Sequence, residues 1–390
     1  MRGPTVLLVT SVRFWEEQRG SQQRIASLVR QMVRDGSVVR TCFVGRMSPA
    51  EIGLARRGGF GAVLPAQADL PDDYYVPDCS LGHFHHESVR AHVHLLVRDM
   101  QPDVVMIEYV ELSYVVRGLE NMIRHRPLLV IDTHDVIHER CARFRESGHE
   151  HWVQITRQEE ADALKPFDVV VAIQNEDAQK FQMLAPHAEV ITVPHAIELP
   201  DVISRIADPS SPQGKTVLGY LAVGNAPNIT SLEWFLERCW SLVLEQLGTS
   251  VHLLIGGEVG QRVDLSGMRQ VSCAGVTSSL EEFYEQVDIA INPVRFGGGL
   301  KIKNVEAMAF GLPLVTTSVG AEGMQDAEGV ALLVGDTPEE FAEAVATLAG
   351  SSEARVTLSA GGRAFAERHY TPRVAFQPLF NAFGTTEALV

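Results

Sequence analysis

The stretch DIAINPVRFGGGLKIKNVEAMAFGLPLVTTSVGAEGM, residues 288–324, indicates the fold of this chain most directly. It begins with an apolar run that predicts a buried strand, and residues 297–299 are three successive glycines that predict a loop. An amphipathic helix is expected from Leu300, and Gly311 marks its end. A second apolar run then predicts another strand. A strand, a helix and a strand in this order indicate one unit of a parallel α/β sheet.

Short apolar runs alternate with longer amphipathic stretches along most of the chain, in two successive series. Continuous apolar strands that alternate with helices are typical of parallel sheets covered by helices on both faces. The sequence therefore predicts an α/β protein with two doubly wound parallel sheets. The runs of the first series lie at residues 5–10, 38–45, 103–109, 127–134, 168–173 and 189–194, and those of the second at 215–224, 251–257, 270–275, 288–294, 312–319 and 329–335.

A segment without periodicity separates the two series. Residues 200–215, PDVISRIADPSSPQGK, are rich in proline, serine and aspartate, which is typical of a linker. We expect an N-terminal domain over residues 1–199, a hinge at 200–215, a C-terminal domain over 216–372, and a helical segment at 373–390 that can return to the first domain. Because ligands bind at the carboxyl ends of parallel strands, the active site is expected in a cleft between the two domains.

Composition and charge exclude several classes of protein. The 390 residues include 33 Lys and Arg against 49 Asp and Glu, a formal net charge of −16, so binding to nucleic acid is not expected. The five cysteines show no CxxC motif and no regular spacing, which favours a cytoplasmic protein over a secreted, disulfide-bonded one. No apolar stretch approaches the about 18 residues of a membrane-spanning helix, so at most peripheral membrane contact is expected.

The glycine loop is surrounded by groups that suit a phosphate ligand. Arg295, Lys301 and Lys303 lie within nine positions that contain no acidic residue. Glycines let the backbone approach a ligand closely, and the start of a helix attracts phosphate. Glu306 adds a carboxylate that can accept hydrogen bonds from both hydroxyls of a ribose, so we predict a nucleotide diphosphate site. The alternative is that Lys303 and Glu306 form a surface pair three residues apart and that the glycines only make a turn.

Several segments together resemble a known family of enzymes. The stretch GGGLKIKNVEAMAFGLPLVTTSVGAEG, together with VIDTHDVIHERCARF, DVVVAIQNEDAQKF and YLAVGNAPNITSLEWF, resembles the retaining, nucleotide-sugar-dependent glycosyltransferases of family 4. This resemblance implies the GT-B fold, in which two Rossmann-like domains face a cleft. It also implies an N-terminal acceptor-side domain, a C-terminal donor domain, and transfer of a hexose from a nucleotide diphosphate sugar to an acceptor.

The resemblance also implies roles for individual residues. Glu306 is expected to hold the donor ribose, and Lys301 to neutralise the pyrophosphate together with Lys303 or Arg295. His134, in the motif DTHD, is expected to reach the transferred sugar, so Glu306, His134 and Lys301 are the candidate catalytic residues. The candidate donor-binding residues are Arg295, Gly297, Gly298, Gly299, Lys303, Gly20 and Asn225.

The sequence departs from the family pattern at two places. The family often has two glutamates separated by seven residues, and the first would fall at Gly298, which leaves the sugar preference open. Many members carry an Arg and Lys pair soon after the first strand of the second domain, where this chain has Asn225 and Asn228. We expect Lys301 and Lys303 to supply the missing charge.

Neither a metal nor a bound cofactor is expected. No Asp-x-Asp triplet occurs in the chain, and the histidines between residues 83 and 94 share no metal-binding framework. His134 and His138 lie four residues apart but do not form a zinc-protease motif. Glu108 and Glu111, at the end of a predicted strand, are expected either to orient an acceptor hydroxyl or to cap the following helix.

Two other functions remain open at this stage. A nucleotide-sugar epimerase of GT-B fold would use the same donor site without an acceptor. A catalytically silent paralogue would serve as a binding or regulatory subunit, and the departures at Gly298 and Asn225 are compatible with it. The nucleotide base, the sugar, the acceptor and the oligomeric state are not specified by the sequence.

Overall fold

The structure is a computed structural model that describes residues 3–66, 78–119, 126–200, 215–277 and 279–384. The chain forms two compact units, each with its own sheet. The first comprises Met1–Ala196 together with Pro372–Val390, and the second comprises Ile197–Thr371. Apart from Pro200 and Lys215, the hinge expected at 200–215 lies outside the described residues.

The main sheet of the first unit has seven parallel strands in the order β3-β2-β1-β5-β6-β8-β9. Strand order reverses between β1 and β5, and ligands bind beside the carboxyl ends of strands at such a point. Two further short strands, β4 and β7, pair with each other. The strands are β1 (Thr5–Thr10), β2 (Val38–Phe43), β3 (Ala62–Pro65), β4 (Cys79–Ser80), β5 (Val104–Glu108), β6 (Leu128–Asp132), β7 (Val153–Gln154), β8 (Val169–Ala172) and β9 (Glu189–Thr192).

The central strands of the first unit are buried on both faces. In β5, Val105 and Ile107 belong to one apolar cluster and Val104 and Met106 to another, because successive side chains of a strand point to opposite faces. The helices that cover the sheet are α1 (Gly20–Arg34), α2 (Pro49–Arg57), α3 (Glu87–Met100), α4 (Ile137–Glu146), α5 (Arg157–Leu164) and α6 (Asn175–Leu184), with 3₁₀ helices at Phe14–Glu16, Leu81–Phe84 and Val110–Val116.

The second unit contains six parallel strands in the order β12-β11-β10-β13-β14-β15. Its order reverses between β10 and β13. The strands are β10 (Thr216–Leu221), β11 (Val251–Gly256), β12 (Val271–Gly275), β13 (Ile289–Asn292), β14 (Leu314–Thr316) and β15 (Leu332–Val334).

Helices pack on both sides of this second sheet. Two of them, α7 and α8, are joined by a π turn at Phe235–Cys239. The helix predicted at 231–247 is therefore uninterrupted and contains a π bulge. The helices are α7 (Ala226–Trp234), α8 (Trp240–Leu247), α9 (Leu280–Tyr284), α10 (Ile302–Ala309), α11 (Pro338–Gly350) and α12 (Ser352–His369), with 3₁₀ helices at Gly248–Ser250, Glu258–Gln261 and Gln325–Ala327.

The last described helices, α13 (Pro372–Ala375) and α14 (Gln377–Gly384), belong to the first unit. Phe376 and Leu379 are fully buried there in the same apolar cluster as Ile25 and Leu28 of α1. Burying large apolar side chains typically stabilises a fold by about 1.5–3 kcal/mol each. The chain therefore leaves the first unit, builds the second, and ends on the first.

The predicted α/β fold with parallel sheets is confirmed, with differences in detail. The strands β3, β4 and β7 were not predicted, because they are short and largely lack a continuous apolar run. The helix expected from Leu300 begins at Ile302, since Lys301 has an extended backbone with φ −85° and ψ 99°. No helix in the described part of the chain is long and apolar enough to cross a membrane.

Candidate active site

The glycine loop of the second unit connects β13 to α10. Gly297 and Gly299 have φ values of 131° and 67°, which residues with a side chain rarely adopt. A Cβ atom added to Gly297 would meet no atom within 4 Å, so its backbone conformation rather than crowding accounts for the glycine. The loop thus presents open backbone beside the start of α10, where phosphate groups bind favourably.

Lys301 lies between the glycine loop and α10 and bonds back to the loop. Its Nζ atom donates to the carbonyl oxygens of Gly299 at 2.6 Å and Gly298 at 3.4 Å, and lies 3.2 Å from Oε2 of Glu322. Lys301 therefore shapes the loop in addition to placing a positive charge beside it.

Lys303 points to a different neighbour, at the start of α7. Its Nζ atom donates to Oδ1 of Asn228 at 2.5 Å and lies 5.0 Å from the centre of the Tyr220 ring. Burial lowers the pKa of Lys303 to about 7, while Glu306 acts in the opposite direction and Lys301 lowers it further. The positive charge on Lys303 thus depends on pH in the neutral range.

The two asparagines that replace the family's basic pair have different roles in the structure. The Asn225 side chain accepts a hydrogen bond from the Asn228 backbone N–H at 3.2 Å and caps α7. The Asn228 side chain donates to the Val223 carbonyl at 3.0 Å and receives Lys303. Lys303 therefore contacts Asn228 and not Asn225. That Lys303 supplies the charge of the family's basic pair stays a prediction.

Arg295 follows β13 and is exposed. Its backbone N–H donates to Oγ of Ser231 at 3.2 Å, and its guanidinium group donates to the Asp336 carbonyl at 2.9 Å. The guanidinium also lies 4.5 Å from the centre of the Trp234 ring. These contacts hold Arg295 beside α7, the same helix whose first turn receives Lys303.

Glu306 is buried within α10, with 7% of its surface exposed. The Tyr284 hydroxyl donates to Glu306 Oε2 at 3.3 Å. Burial and the neighbouring carboxylate raise the pKa of Tyr284 well above its usual value, so the phenol keeps the proton that it donates. Glu306 and Lys303 are thus not an exposed surface pair, because the first is buried against Tyr284 and the second contacts Asn228.

His134 lies in the first unit, at the carboxyl end of β6. Its Nε2 atom lies 2.7 Å from Oε2 of Glu108, which ends β5. The Tyr109 ring stacks on the His134 imidazole, with the ring centres 4.0 Å apart. Burial raises the pKa of Glu108, and the neighbouring Asp132 raises it further. His134 is therefore held by two residues of the adjacent strand end.

Arg24 of α1 completes a buried charge cluster with Asp132, Glu108 and His134. The Arg24 guanidinium donates to both carboxylate oxygens of Asp132, at 2.8 and 3.1 Å, and to the Pro194 carbonyl at 2.8 Å. Asp132 and Glu108 are fully buried, and Arg24 and His134 nearly so. Charged groups remain buried in this way only when they are paired and hydrogen-bonded.

Two residues of this region have strained backbones. Tyr109 has φ 68° and ψ 149°, a combination that is largely restricted to glycine. His134 has φ 60° and is the central residue of a three-residue turn. The turn is closed by a hydrogen bond of 2.8 Å from the Asp135 N–H to the Thr133 carbonyl. Such conformations cost about 1–3 kcal/mol each and concentrate at functional sites.

Glu108, Asp132 and His134 offer ligand atoms within 4.8 Å of one another, which raises the question of a metal ion. The arrangement does not fit one. Both oxygens of Asp132 already accept hydrogen bonds from the Arg24 guanidinium, which places a positive charge where a cation would bind. The short contact between Glu108 and His134 suits a shared proton better.

Gly20 is the first residue of α1 in the first unit, whereas the other candidate donor-binding residues lie in the second. Burial raises the pKa of Tyr109, and Ser21, the neighbour of Gly20, acts on the same phenol in the opposite direction. Gly20 therefore belongs structurally to the surroundings of His134.

Sequence reasoning missed several residues of both sites, notably Arg24, Tyr109, Tyr284 and Glu322. One signal was available for Arg24. It lies four residues before Leu28 and eight before Met32, so a charged side chain occupies the apolar stripe of α1. A charge in such a position indicates a buried partner.

Residues 217–351, about a third of the chain, match the family model of the group 1 glycosyl transferases. The match includes the glycine loop and α10. The lipopolysaccharide core biosynthesis mannosyltransferase LpsB of Rhizobium meliloti strain 1021 is 30% identical over 83 residues, which cover 21% of this chain and 23% of LpsB. This chain spans less than half of the length of the curated relatives that it matches.

Two solved structures share the architecture over nearly the whole chain. Alr3699/HepE of Anabaena, solved with UDP and glucose, has a TM-score of 0.67 at 14% identity, covering 98% of this chain and 100% of HepE. Sucrose-phosphate synthase of Thermosynechococcus elongatus has a TM-score of 0.74 at 13% identity, covering 99% and 100%. This chain has the GT-B fold of glycosyltransferases. The GT-B resemblance is thus confirmed, whereas membership of family 4 stays a prediction.

Proposed function

We propose that this GT-B chain is a retaining glycosyltransferase of family 4 that transfers a hexose from a nucleotide diphosphate sugar to an acceptor. The observation that carries the proposal is the grouping of the glycine loop, Lys301, Lys303 and Glu306 around the start of α10. This grouping lies within the residues that match the group 1 glycosyl transferase model. The presence of UDP with glucose in HepE and the mannosyltransferase name of LpsB support a nucleotide-linked hexose as donor.

In the proposed complex, the donor diphosphate lies against the glycine loop and the first turn of α10. Backbone N–H groups at a helix start have no partner within the helix and bind phosphate oxygens. Lys301 and Lys303 neutralise the two phosphates, and Arg295 is the third cation available beside α7. Glu306, oriented through its Oε2 atom by Tyr284, accepts hydrogen bonds from the ribose hydroxyls.

The chemistry that this site would promote is the separation of charge at the anomeric carbon. The bond from that carbon to the phosphate oxygen breaks, and the acceptor oxygen forms a new bond on the same face. The acceptor proton goes to the departing phosphate oxygen. Negative charge therefore builds up on the diphosphate in the transition state, and fixed amides and ammonium groups aimed at it lower the barrier.

Transfer is proposed to need no metal ion, since the lysines and amides can neutralise the leaving group. We also propose a cytoplasmic location. All five cysteines are among the described residues, each is a free thiol, and four are buried, which suits a reducing compartment.

Thermal unfolding with a panel of UDP-, GDP- and TDP-sugars tests the donor site. Ligands that bind only the folded state raise the melting temperature, so one nucleotide series is expected to do so. With that donor, the product should keep the anomeric configuration and form equally well in excess EDTA. The donor site is overturned if no member of the panel raises the melting temperature. An isomerised sugar from donor alone would instead make the chain an epimerase.

A further inference from the structure

We infer that Glu108 is a positioning residue that shares one proton with Nε2 of His134 and thereby keeps the Nδ1 atom of His134 a hydrogen-bond donor. This inference rests on the proposed function only in assigning that donor to an oxygen of the transferred sugar. The proton arrangement itself follows from contacts within the first unit.

The Glu108–His134 contact is short and closed to water. Nε2 and Oε2 are 2.7 Å apart, Glu108 is fully buried, and His134 is 6% exposed. The other carboxyl oxygen of Glu108, Oε1, is buried without a hydrogen-bond partner in the described part of the chain. An ionised carboxylate needs both oxygens satisfied, so the bare Oε1 favours a form in which Glu108 carries or shares a proton.

Charge balance in the cluster requires one proton on this pair. Arg24 and Asp132 cancel each other through two hydrogen bonds, which leaves Glu108 and His134 to be neutral in sum. The sum is zero when the proton is on Glu108 and the imidazole is neutral, and also when Glu108 is ionised and the imidazole is protonated. A net charge buried at this site would be strongly unfavourable.

The other ionisable groups around the cluster do not draw the proton away from this pair. Burial raises the pKa of Glu111, on the 3₁₀ helix after β5, to about 7. Glu111 is therefore neutral below that pH, and above it the negative charge of Glu111 favours keeping the proton on the pair. Asp135, after β6, is paired with Arg140. His195, after β9, is buried, and desolvation lowers its pKa to about 3, so it is neutral. Tyr109 stays protonated, because burial raises the pKa of its phenol.

Both arrangements of the shared proton give the same state at Nδ1. With the proton on Glu108, Nε2 is an acceptor, and the single N–H of the neutral ring is at Nδ1. With the proton on Nε2, the imidazolium ring carries an N–H at both nitrogens. Only when the pair loses the shared proton can the ring keep its hydrogen on Nε2 and expose a lone pair at Nδ1.

This arrangement keeps Nδ1 of His134 as a hydrogen-bond donor toward the substrate. A sugar hydroxyl oxygen accepts a hydrogen bond from Nδ1–H, and the stacked Tyr109 ring and the closed turn at His134 hold the imidazole in place. When the pH rises until the shared proton is lost, Nδ1 changes from donor to acceptor. Burial raises the pKa of Glu108, which keeps the proton on the pair to higher pH.

Nitrogen NMR of the full chain with ¹⁵N-labelled histidine tests this inference. Two-bond ¹H–¹⁵N spectra distinguish protonated from bare ring nitrogens, and His134→Gln identifies the His134 signals. At neutral pH we expect a protonated Nδ1 in the native chain. Glu108→Leu should release this constraint and shift the ring toward the Nε2–H tautomer. A bare Nδ1 in the native chain, or unchanged His134 signals in Glu108→Leu, would overturn the inference.

Two further variants separate this effect from a loss of structure. Glu108→Gln fills the same space and can donate to Nε2 but has no titrating proton, so the change at Nδ1 at high pH must vanish in it. If that change persists, the inference is wrong, even where Glu108→Leu fails to fold. Glu160→Gln is the matched control, because Glu160 is a buried glutamate whose Oε2 lies 2.6 Å from Nδ1 of His138. It should change the His138 signals and leave those of His134 in place.

Activity gives the second readout. Losing a hydrogen bond to substrate in the transition state typically costs about tenfold to a hundredfold in rate. Glu108→Leu should show such a loss in kcat, and Glu108→Gln should recover most of it while losing the decline at high pH. If no sugar transfer is found at all, the NMR result still tests the proton sharing. If transfer occurs and the NMR result is negative, only this inference falls.

Discussion

Lys303 in the second unit contacts a neutral amide, whereas Arg24 in the first unit contacts a carboxylate. The Lys303 ammonium donates to Asn228 and lies over the Tyr220 ring, and burial lowers its pKa to about 7. The Arg24 guanidinium donates three hydrogen bonds, two of them to Asp132. Among the described residues, the partly buried Lys303 ammonium is hydrogen-bonded to no carboxylate, whereas the buried Arg24 guanidinium is matched by Asp132. We propose that the charge of Lys303 is available to a mobile anion.

This difference predicts different consequences of removing each cation. A buried cation whose partner is a bound ligand contributes to binding and turnover, and it lowers the stability of the free protein. A cation matched by a buried carboxylate cannot be removed without leaving that carboxylate unpaired. Variants of the second unit should therefore lose activity, and variants of the buried charge cluster should first lose stability.

The largest effect is expected for Arg24→Ala. Removing one partner of a buried ion pair typically destabilises a protein by about 3–5 kcal/mol, because the remaining charge stays buried without compensation. We expect a loss of this size in the free energy of unfolding, measured by chemical denaturation. Arg126→Ala is the matched control, since Arg126 pairs with Asp168 at 2.7 Å but is half exposed, and such pairs contribute at most about 1 kcal/mol. Equal losses in the two variants would contradict the comparison.

Lys301→Ala should leave the fold intact and lose activity. Removing one donor that stabilises a developing oxyanion typically lowers turnover by about 100- to 1000-fold. Glu306→Ala is expected to abolish transfer as well, since the ribose loses its carboxylate partner. Initial rates with the donor found by thermal unfolding measure both effects. Lys165→Ala is the control, because among the described residues this exposed lysine pairs only with Asp162, near the end of its own helix.

Near-normal turnover in Lys301→Ala would remove the basis of the proposed donor site. A melting temperature that falls as far as that of Arg24→Ala would instead show that Lys301 acts on the fold, through its bonds to the carbonyls of Gly298 and Gly299.

A smaller effect is expected from the pH dependence of Lys303. A bound diphosphate attracts the ammonium form and raises the pKa of Lys303 above about 7, so binding takes up a proton when the pH exceeds that value. Affinity for UDP should accordingly be constant below this pH and fall above it, by at most about tenfold for each pH unit. Calorimetry of UDP binding in two buffers with different protonation enthalpies measures the proton uptake.

Lys303→Arg sharpens this test, because arginine stays charged at every pH in question. The variant should bind UDP without proton uptake and without the decline at high pH. Proton uptake that persists in Lys303→Arg would assign the titration to another group and would weaken the contrast between Lys303 and Arg24.

The parts that follow from local sequence could be predicted, and those that need tertiary contacts could not. Apolar runs such as those of β5 and β6 predict buried parallel strands because the pattern lies within the strand itself. The glycine loop, Lys301 and Glu306 lie within ten residues of one another, so their grouping was visible. The Arg24–Asp132 pair joins residues 108 positions apart, and the Lys303–Asn228 bond joins residues 75 positions apart.

Those distant pairs depend on strand order and register. Glu108 and Asp132 end neighbouring strands in register, so the position of one beside the other follows from the β5–β6 pairing and not from either motif. His134 was predicted from its motif, but its partner Glu108 was predicted only to orient an acceptor or to cap a helix.

The smallest effect is expected for Tyr284→Phe, which removes one hydrogen bond from the second unit and no charge. The Tyr284 hydroxyl donates to Oε2 of Glu306 at 3.3 Å, and without it this buried oxygen loses a partner that would orient it toward a bound ribose. A single neutral donor to a carboxylate is typically worth about 1.5–3 kcal/mol, and a long bond falls at the low end, so UDP affinity should fall by about tenfold. The melting temperature should change far less than in Arg24→Ala, since phenylalanine fills the same space.

Phe283→Leu, in the same helix and equally buried, is the control for packing. If Tyr284→Phe binds UDP as tightly as the native chain, Glu306 either needs no orienting partner or does not contact the ribose. Calorimetry with the free base, the nucleoside and UDP distinguishes these two cases. Only in the second case does the ribose contribute nothing to the affinity.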